Sequence, residues 1–140
     1  MLNSISTRLI QLLLDAGFNP CVVDRKGWTA LHYASQSNRH DGCEAVSIII
    51  EAIPNNALVH MKNLDGNTAL HIASMNRYGE DIATSLLLHD ARVSDRNVKM
   101  ETPLHVSVRA EANAIAGVLC QAGADPLIMD MKHRTSIHAA

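Results

Sequence analysis

An all-α repeat solenoid, made of stacked helix–turn–helix units joined by β-hairpin or extended loops, is the fold class this sequence predicts. Three observations predict it. "GWTALHYAS" at 27–35 returns as "GNTALHIAS" at 66–74, and "ETPLHVSV" (101–108) and "RTSIHAA" (134–140) carry the same frame more loosely. Thr29, Thr68, Thr102 and Thr135 mark that frame at spacings of 39, 34 and 33 residues, and self-similarity near 33 residues is the mark of a stacked repeat. Aromatic residues are only 3% of a chain that is 47% hydrophobic, so small and aliphatic side chains must fill the core, which suits closely packed helices. At 140 residues the chain is one domain's worth.

Each unit opens on its threonine, a good helix N-cap because its hydroxyl accepts from an otherwise orphaned backbone N–H. Pro103 follows in the third unit, suited to the first helical position. Leu31, Ala34 and Ser35 then share a face, as do Leu70, Ala73 and Ser74, and their small size lets a neighbouring helix approach. A second helical pattern closes each unit: "TRLIQLLLDAG" (7–17), "EAVSIIIEAI" (44–53), "EDIATSLLLHD" (80–90) and "NAIAGVLCQAG" (113–123). Gly17, Asp90 and Gly123 each lie twelve residues before a threonine, where a left-handed residue ends a helix. "FNPCVVDRKG" and "ADPLIMDMKH" follow as turn-rich connections that suit a β-hairpin or extended loop.

This unit resembles the ankyrin repeat. Thr29-Ala30-Leu31-His32, Thr68-Ala69-Leu70-His71 and Thr102-Pro103-Leu104-His105 match its T-P-L-H signature, and "AGADP" at 122–126 matches the loop after its second helix. The resemblance divides the chain into a second helix and hairpin of a partial repeat (1–23), repeats at 24–62, 63–96 and 97–129, and the start of a further one at 130–140. It implies that the recurring histidine supports the threonine hydroxyl and the adjoining hairpin. Two departures stand out. The hairpin glycine, present at Gly27 and Gly66, is replaced by Met100 and His133, which puts the tight turn of the later units in doubt. The first full unit carries about six extra residues, expected in "SNRHDGC" (37–43) and "IPNNA" (53–57), and loop insertions of this kind need not disturb a stack. Solenoid ends need polar caps. "LIQLLL" near one end and "SIHAA" at the other lead to the expectation of a piece of a longer array, truncated at both ends and prone to associate when isolated.

Chemistry is sparse. A net charge of −2 predicts no general attraction to nucleic acid or an anionic membrane surface, and no apolar run approaches a membrane span. Cys21, Cys43 and Cys120 are odd in number and far apart, without a CxxC pair, which fits an intracellular location in cytoplasm or nucleus. Of eight histidines, His32, His71, His105 and His138 occupy one repeat position. Helices packed about 8–10 Å apart cannot bring them to one metal, whose ligands stand about 2 Å from it. His40, His60, His89 and His133 have no ligand spacing, and no nucleophile motif, P-loop or dinucleotide fingerprint occurs. No catalytic residue, metal or cofactor is therefore expected, and the chain is read as no enzyme by itself.

Stacked units form an extended concave surface with loop tips along one side. By the family pattern, partner-facing positions are Arg25, Lys26, Trp28, Gln36 and Ser37; Leu64, Asp65, Asn67, Met75 and Asn76; Val98, Lys99, Glu101, Arg109 and Ala110; and Met131, Lys132 and Arg134. Trp28, the only tryptophan, is either an interface anchor or packed flat on the neighbouring hairpin. Arg25, Lys26, Lys99, Arg109, Lys132 and Arg134 set six basic residues there against Asp65 and Glu101. Such a strip is expected to draw an acidic segment of a partner protein, unless these are simply solvated tips. The leading function is a non-catalytic protein–protein interaction module that contacts neither nucleic acid nor membrane. One alternative comes from "RNVKMETPLHVSVRAEANAIAGVLCQAGADPLIMD" (96–130), which is similar to an early repeat of the IκB and Rel/NF-κB precursor group and implies masking of a Rel-type transcription factor. A second alternative is the ankyrin portion of a larger enzyme or channel.

Overall fold

Thr29, Thr68 and Thr102 each hold extended backbone just before a short helix and accept a bond from the amide three residues on. The inner helices they start are α2 (Ala30–Ser35), α4 (Ala69–Ser74) and α6 (Pro103–Arg109). The outer helices are α1 (Ile5–Asp15), α3 (Gly42–Glu51), α5 (Glu80–Leu88) and α7 (Asn113–Gln121). The computed structural model describes residues 5–37 and 42–136. His40, His138, most of the "SNRHDGC" insertion and the last four residues of the chain lie outside the described residues.

Two rows result. α2, α4 and α6 stack on one another, as do α1, α3, α5 and α7, and each inner helix packs on the outer helix that follows it. Leu31, Leu70 and Leu104 supply one buried leucine per inner helix. Val46 and Ile50, Ile82 and Leu86, Ile115 and Leu119 are buried pairs spaced four apart on the outer helices, so each helix turns one stripe inward. Full burial of each such side chain stabilises by about 1.5–3 kcal/mol. No strand occurs among the described residues, so the connections are extended loops with tight turns, not paired hairpin strands.

Helix ends follow one device. Phe18, Ala91 and Ala124 donate their amides to the carbonyls of Leu13, Leu86 and Leu119 at 3.1, 3.0 and 3.0 Å, across left-handed Gly17, Asp90 and Gly123. The extra residues after α3 follow another course. Left-handed Asn55 and Asn56 bend a 3-10 segment, Pro54–His60, that returns Leu58 and Val59 to the core. Asn56 then donates to the Asp90 carboxylate at 3.0 Å, tying the insertion to the end of α5.

Gly66 and Gly123 both have positive φ, 75° and 95°, but different surroundings. A Cβ on Gly66 would stand 2.7 Å from the Val98 nitrogen, whereas one on Gly123 meets nothing within 4 Å. Gly123→Ala is expected to lower stability by about 1–2 kcal/mol through left-handed strain alone. Gly66→Ala adds an overpacking cost of about 1–3 kcal/mol. Urea unfolding of the two variants side by side checks the order.

Candidate functional site

The surface that could meet a partner is built on four turns and three histidines. His71 Nδ1 accepts from the Thr68 amide at 3.2 Å and contacts the Thr68 hydroxyl at 3.0 Å. With Nδ1 accepting, the proton sits on Nε2, which donates to the Glu101 carbonyl in the next turn at 2.9 Å. His32 repeats this with Thr29 and the Asn67 carbonyl at 3.0 Å, and His105 with Thr102 and the Arg134 carbonyl at 3.0 Å. Each ring therefore caps its own helix and fastens the next turn. Burial pushes the His71 imidazole down to about 4 and lowers His32 as well, so both stand neutral.

Asp24, Asn63, Asn97 and Asp130 make the turns. Each side-chain Oδ1 accepts from the amides two and four residues on, at 2.9–3.0 Å. The fourth residue of every turn is left-handed: Gly27, Gly66, Met100 and His133. The tight turn put in doubt at Met100 and His133 is thus present. Asn97 and Asp130 supply enough bonds to hold a non-glycine residue at φ 61° and 60°. The signal was present in the sequence as an Asp or Asn five residues before each threonine.

The predicted partner positions divide into three sets: exposed, half-buried and buried. Arg25, Lys26, Gln36, Leu64, Asp65, Met75, Val98, Lys99, Arg109, Met131 and Lys132 are exposed. Trp28, Ser37, Asn76, Ala110 and Arg134 are half-buried. Trp28 meets the rings of its own unit, His32 at 5.8 Å and Tyr33 at 4.9 Å. The Tyr33 hydroxyl donates to Asp24, which holds that carboxyl below its ordinary range. Asn76 donates to the Ser37 carbonyl at 2.9 Å and so joins two repeats.

Asn67 and Glu101 are corrected outright, for both are buried, at 7% and 3% exposure. They belong to an internal ladder in which Asn97 Nδ2 donates to Asn67 Oδ1 at 3.0 Å and to Glu101 Oε1 at 3.2 Å, while Arg109 donates to Glu101 Oε2. Burial opposes ionisation of Glu101, but the Arg109 and Asn97 bonds outweigh it and hold the carboxyl below its usual value. Arg134 likewise pairs with Asp130 at 3.1 Å. The cations left exposed at the turns are Arg25, Lys26, Lys99 and Lys132, against Asp65 and the turn carboxylate Asp24.

The structure gathers several of these residues. Asp65, Asn67, Met75, Asn97, Val98, Lys99, Glu101 and Arg109 line one polar cleft of about 240 Å³ between the second and third turns. A larger apolar groove of about 570 Å³, which the sequence did not announce, lies where Ile10, Leu13 and Leu14 of α1 face Tyr33 and Ala34 of α2 and Ile49 of α3. Among the described residues there is no group of three or more metal-ligating side chains, and no helix is long and apolar enough to cross a membrane.

The family model of ankyrin repeats in three copies matches residues 42–130, and that of ankyrin repeats in many copies matches residues 6–50. The chain belongs to the ankyrin repeat family. It is similar to the yeast (Saccharomyces cerevisiae) target of rapamycin complex 2 subunit AVO2, 28% identical over 80% of this chain and 25% of that one. The mouse (Mus musculus) B-cell lymphoma 3 protein homolog is 26% identical over 94% of this chain and 29% of its own length. NF-kappa-B inhibitor zeta of Bos taurus is 33% identical over 69% of this chain and 14% of its own. The chain spans 14–29% of the length of these three relatives.

Two predictions test the ankyrin scaffold. The unfolded chain protonates His71 near pH 6.5, whereas the folded one resists until about 4. Stability from this residue is therefore whole above pH 6.5 and falls as pH drops towards 4, by about 3 kcal/mol in all. Glu101, held low, adds its loss in a more acidic window, as pH falls below the ordinary carboxylate value. His71→Gln should show a shallower stability slope between pH 6.5 and 4; equal slopes in thermal unfolding would discount the imidazole.

Asn63 lies at the equivalent place to Asn97, but its Nδ2 is buried with no hydrogen-bond partner, because Trp28 stands where the other interface has Asn67. Asn63→Asp keeps the turn acceptor but leaves a carboxylate oxygen unpartnered where the orphan donor was, and is expected to cost about 1 kcal/mol. Asn97→Asp sets a carboxylate against Glu101, breaks the Asn67 bond and should cost about 1–3 kcal/mol. Parallel denaturant titrations decide.

Proposed function

We propose that this ankyrin array is a non-catalytic module that binds a partner protein across its loop turns and inner helix row, and that the partner's contacting segment is acidic. One observation carries the reading. Four turns locked in one register expose Arg25, Lys26, Lys99 and Lys132 beside a polar cleft, while the buried carboxylate of Glu101 is occupied by Arg109. The chain's overall charge of −2 makes that basic line a local feature, suited to orienting an acidic segment on approach. The three thiols Cys21, Cys43 and Cys120 are unpaired, which supports action inside the cell, in cytoplasm or nucleus.

A second reading makes the partner a Rel-type transcription factor. The likeness of residues 96–130 to the IκB and Rel group supports it, as does the similarity to NF-kappa-B inhibitor zeta and the B-cell lymphoma 3 homolog. A third, the ankyrin portion of a larger enzyme or channel, is supported by the small share of each relative that this chain covers.

The test uses the chain as bait and then measures association with the captured protein. Lys26→Glu together with Lys99→Glu is expected to slow association at least tenfold at low salt. The gap should shrink near 0.5 M salt, where the screening length is about 4 Å. Asp81→Lys, on the exposed side of α5, serves as a control and should leave the rate unchanged. An association rate indifferent to both salt and the turn reversals would remove the acidic-segment reading.

A further inference from the structure

The residue that follows the Asp or Asn of each turn is Arg25, Leu64, Val98 and Met131 in succession. Three of the four are apolar, yet Leu64 is 73% exposed, Val98 54% and Met131 61%. Isolated exposed apolar side chains are ordinary, whereas a register of them is not. The turn itself does not demand them. Its bonds run through the Asp or Asn oxygen and the backbone, and Arg25 fills the same place with the same bonds around it. What the backbone does impose is alignment. Leu64 N–H donates to the Lys26 carbonyl at 3.0 Å, Val98 N–H to Asp65 at 3.0 Å, and Met131 N–H to Lys99 at 2.8 Å. The three side chains therefore stand in one row, spaced as stacked repeats are, roughly 8–10 Å apart. Beside them runs a second exposed row, Lys26, Asp65, Lys99 and Lys132, with the charge order plus, minus, plus, plus.

We propose that this double row is the docking line for one amphipathic α-helix of the partner, apolar at i, i+7 and i+14, acidic at its flanks. The proposal rests on the protein-binding reading above and names the shape and chemistry of what is bound. Seven helical residues advance about 10.5 Å and return to nearly the same face, which matches one repeat. A β-strand covers that distance in about three residues and turns the third side chain to the opposite face. The apolar residues of the helix lie on Leu64, Val98 and Met131. A carboxylate at i−7 meets Arg25 and Lys26, a basic residue stands beside Asp65, and acidic residues meet Lys99 and Lys132. The cleft of about 240 Å³ between the second and third turns, lined by Asp65 and Glu101 as well as Lys99 and Arg109, receives a neutral polar side chain from the stretch between i and i+7. A helix of about 20 residues, roughly 30 Å long, spans all four turns.

The test is a fluorescein-labelled synthetic helix with leucine at i, i+7 and i+14 and glutamate around them, titrated with the 140-residue chain by anisotropy. A second peptide of the same composition with leucines at i, i+5 and i+10, which scatter around the helix, should bind at least tenfold more weakly. Leu64→Ser combined with Val98→Ser should weaken the matched peptide at least tenfold, with circular dichroism and melting unchanged because both side chains are exposed. The inference is overturned if the scattered peptide or the double variant binds within twofold of the matched pair, or if a proline-broken peptide of the same composition binds equally well. A captured partner whose association Lys26→Glu and Lys99→Glu slow, in a chain that ignores the matched helix, overturns the helical docking line and leaves the protein-binding reading standing.

Discussion

Each described imidazole, His32, His71 and His105, serves two structures at once, and the array depends on that double service. Its Nδ1 takes the amide and hydroxyl of the threonine that starts its own helix, and its Nε2–H reaches a carbonyl some thirty residues on. The ring must be neutral for this, since a proton on Nδ1 would face the threonine N–H. Burial enforces neutrality at His71 and favours it at His32. A net gain of about 1 kcal/mol for one hydrogen bond understates the link, because losing the ring orphans a helix-end donor and a buried carbonyl together.

The carbonyl that each histidine takes belongs to the residue just before the next threonine, and this decides which positions can face a partner. Asn67, Glu101 and Arg134 have their backbones pinned there. The side chains of Asn67 and Glu101 are turned into the stack, where they meet Asn97 and Arg109. Two and three steps earlier in each turn, the side chains of Leu64 and Asp65, Val98 and Lys99, and Met131 and Lys132 stand exposed. The turn tips are thus the outward positions and the pre-threonine residues the inward ones, although both sit within four residues of each other. A rigid inside is what gives the outside a fixed spacing.

The period, the caps and the left-handed helix ends were legible in the sequence because they depend on neighbours within a few residues. Thr68 and His71 are three apart, and Gly17 and Gly123 end helices through bonds five residues long. The burial of Asn67 and Glu101 was not legible, because it is set by Asn97, which lies thirty residues from Asn67 and reaches both. The ring contact of Trp28 with Tyr33, five residues on in the same unit, was not legible either, because no spacing rule announces it. Met100 and His133 misled in the opposite way. A glycine preference is a statement about intrinsic strain, and the side-chain oxygens of Asn97 and Asp130 hold the backbone against it.

The interfaces between repeats are consequently not alike. In the second, Asn97 joins Asn67 and Glu101 in a polar ladder closed by Arg109. In the first, Trp28 offers Asn63 no acceptor, and other groups hold the repeats together: Leu58 and Val59 of the 3-10 segment, the Asn76 bond to Ser37, and Gly27 close against Asn63 and Leu64. Because a solenoid's stability is close to a sum over units and nearest-neighbour contacts, these two interfaces contribute by different means. Apolar burial runs through both interfaces, but the second adds the charge-assisted bonds of Glu101, so acid acts more strongly where Glu101 and His71 meet. That is also where the polar cleft opens and where Lys99 and Arg109 stand. The part of the array most dependent on a satisfied charge network is the part whose remaining charge faces outward, which couples the integrity of the scaffold to the surface it presents.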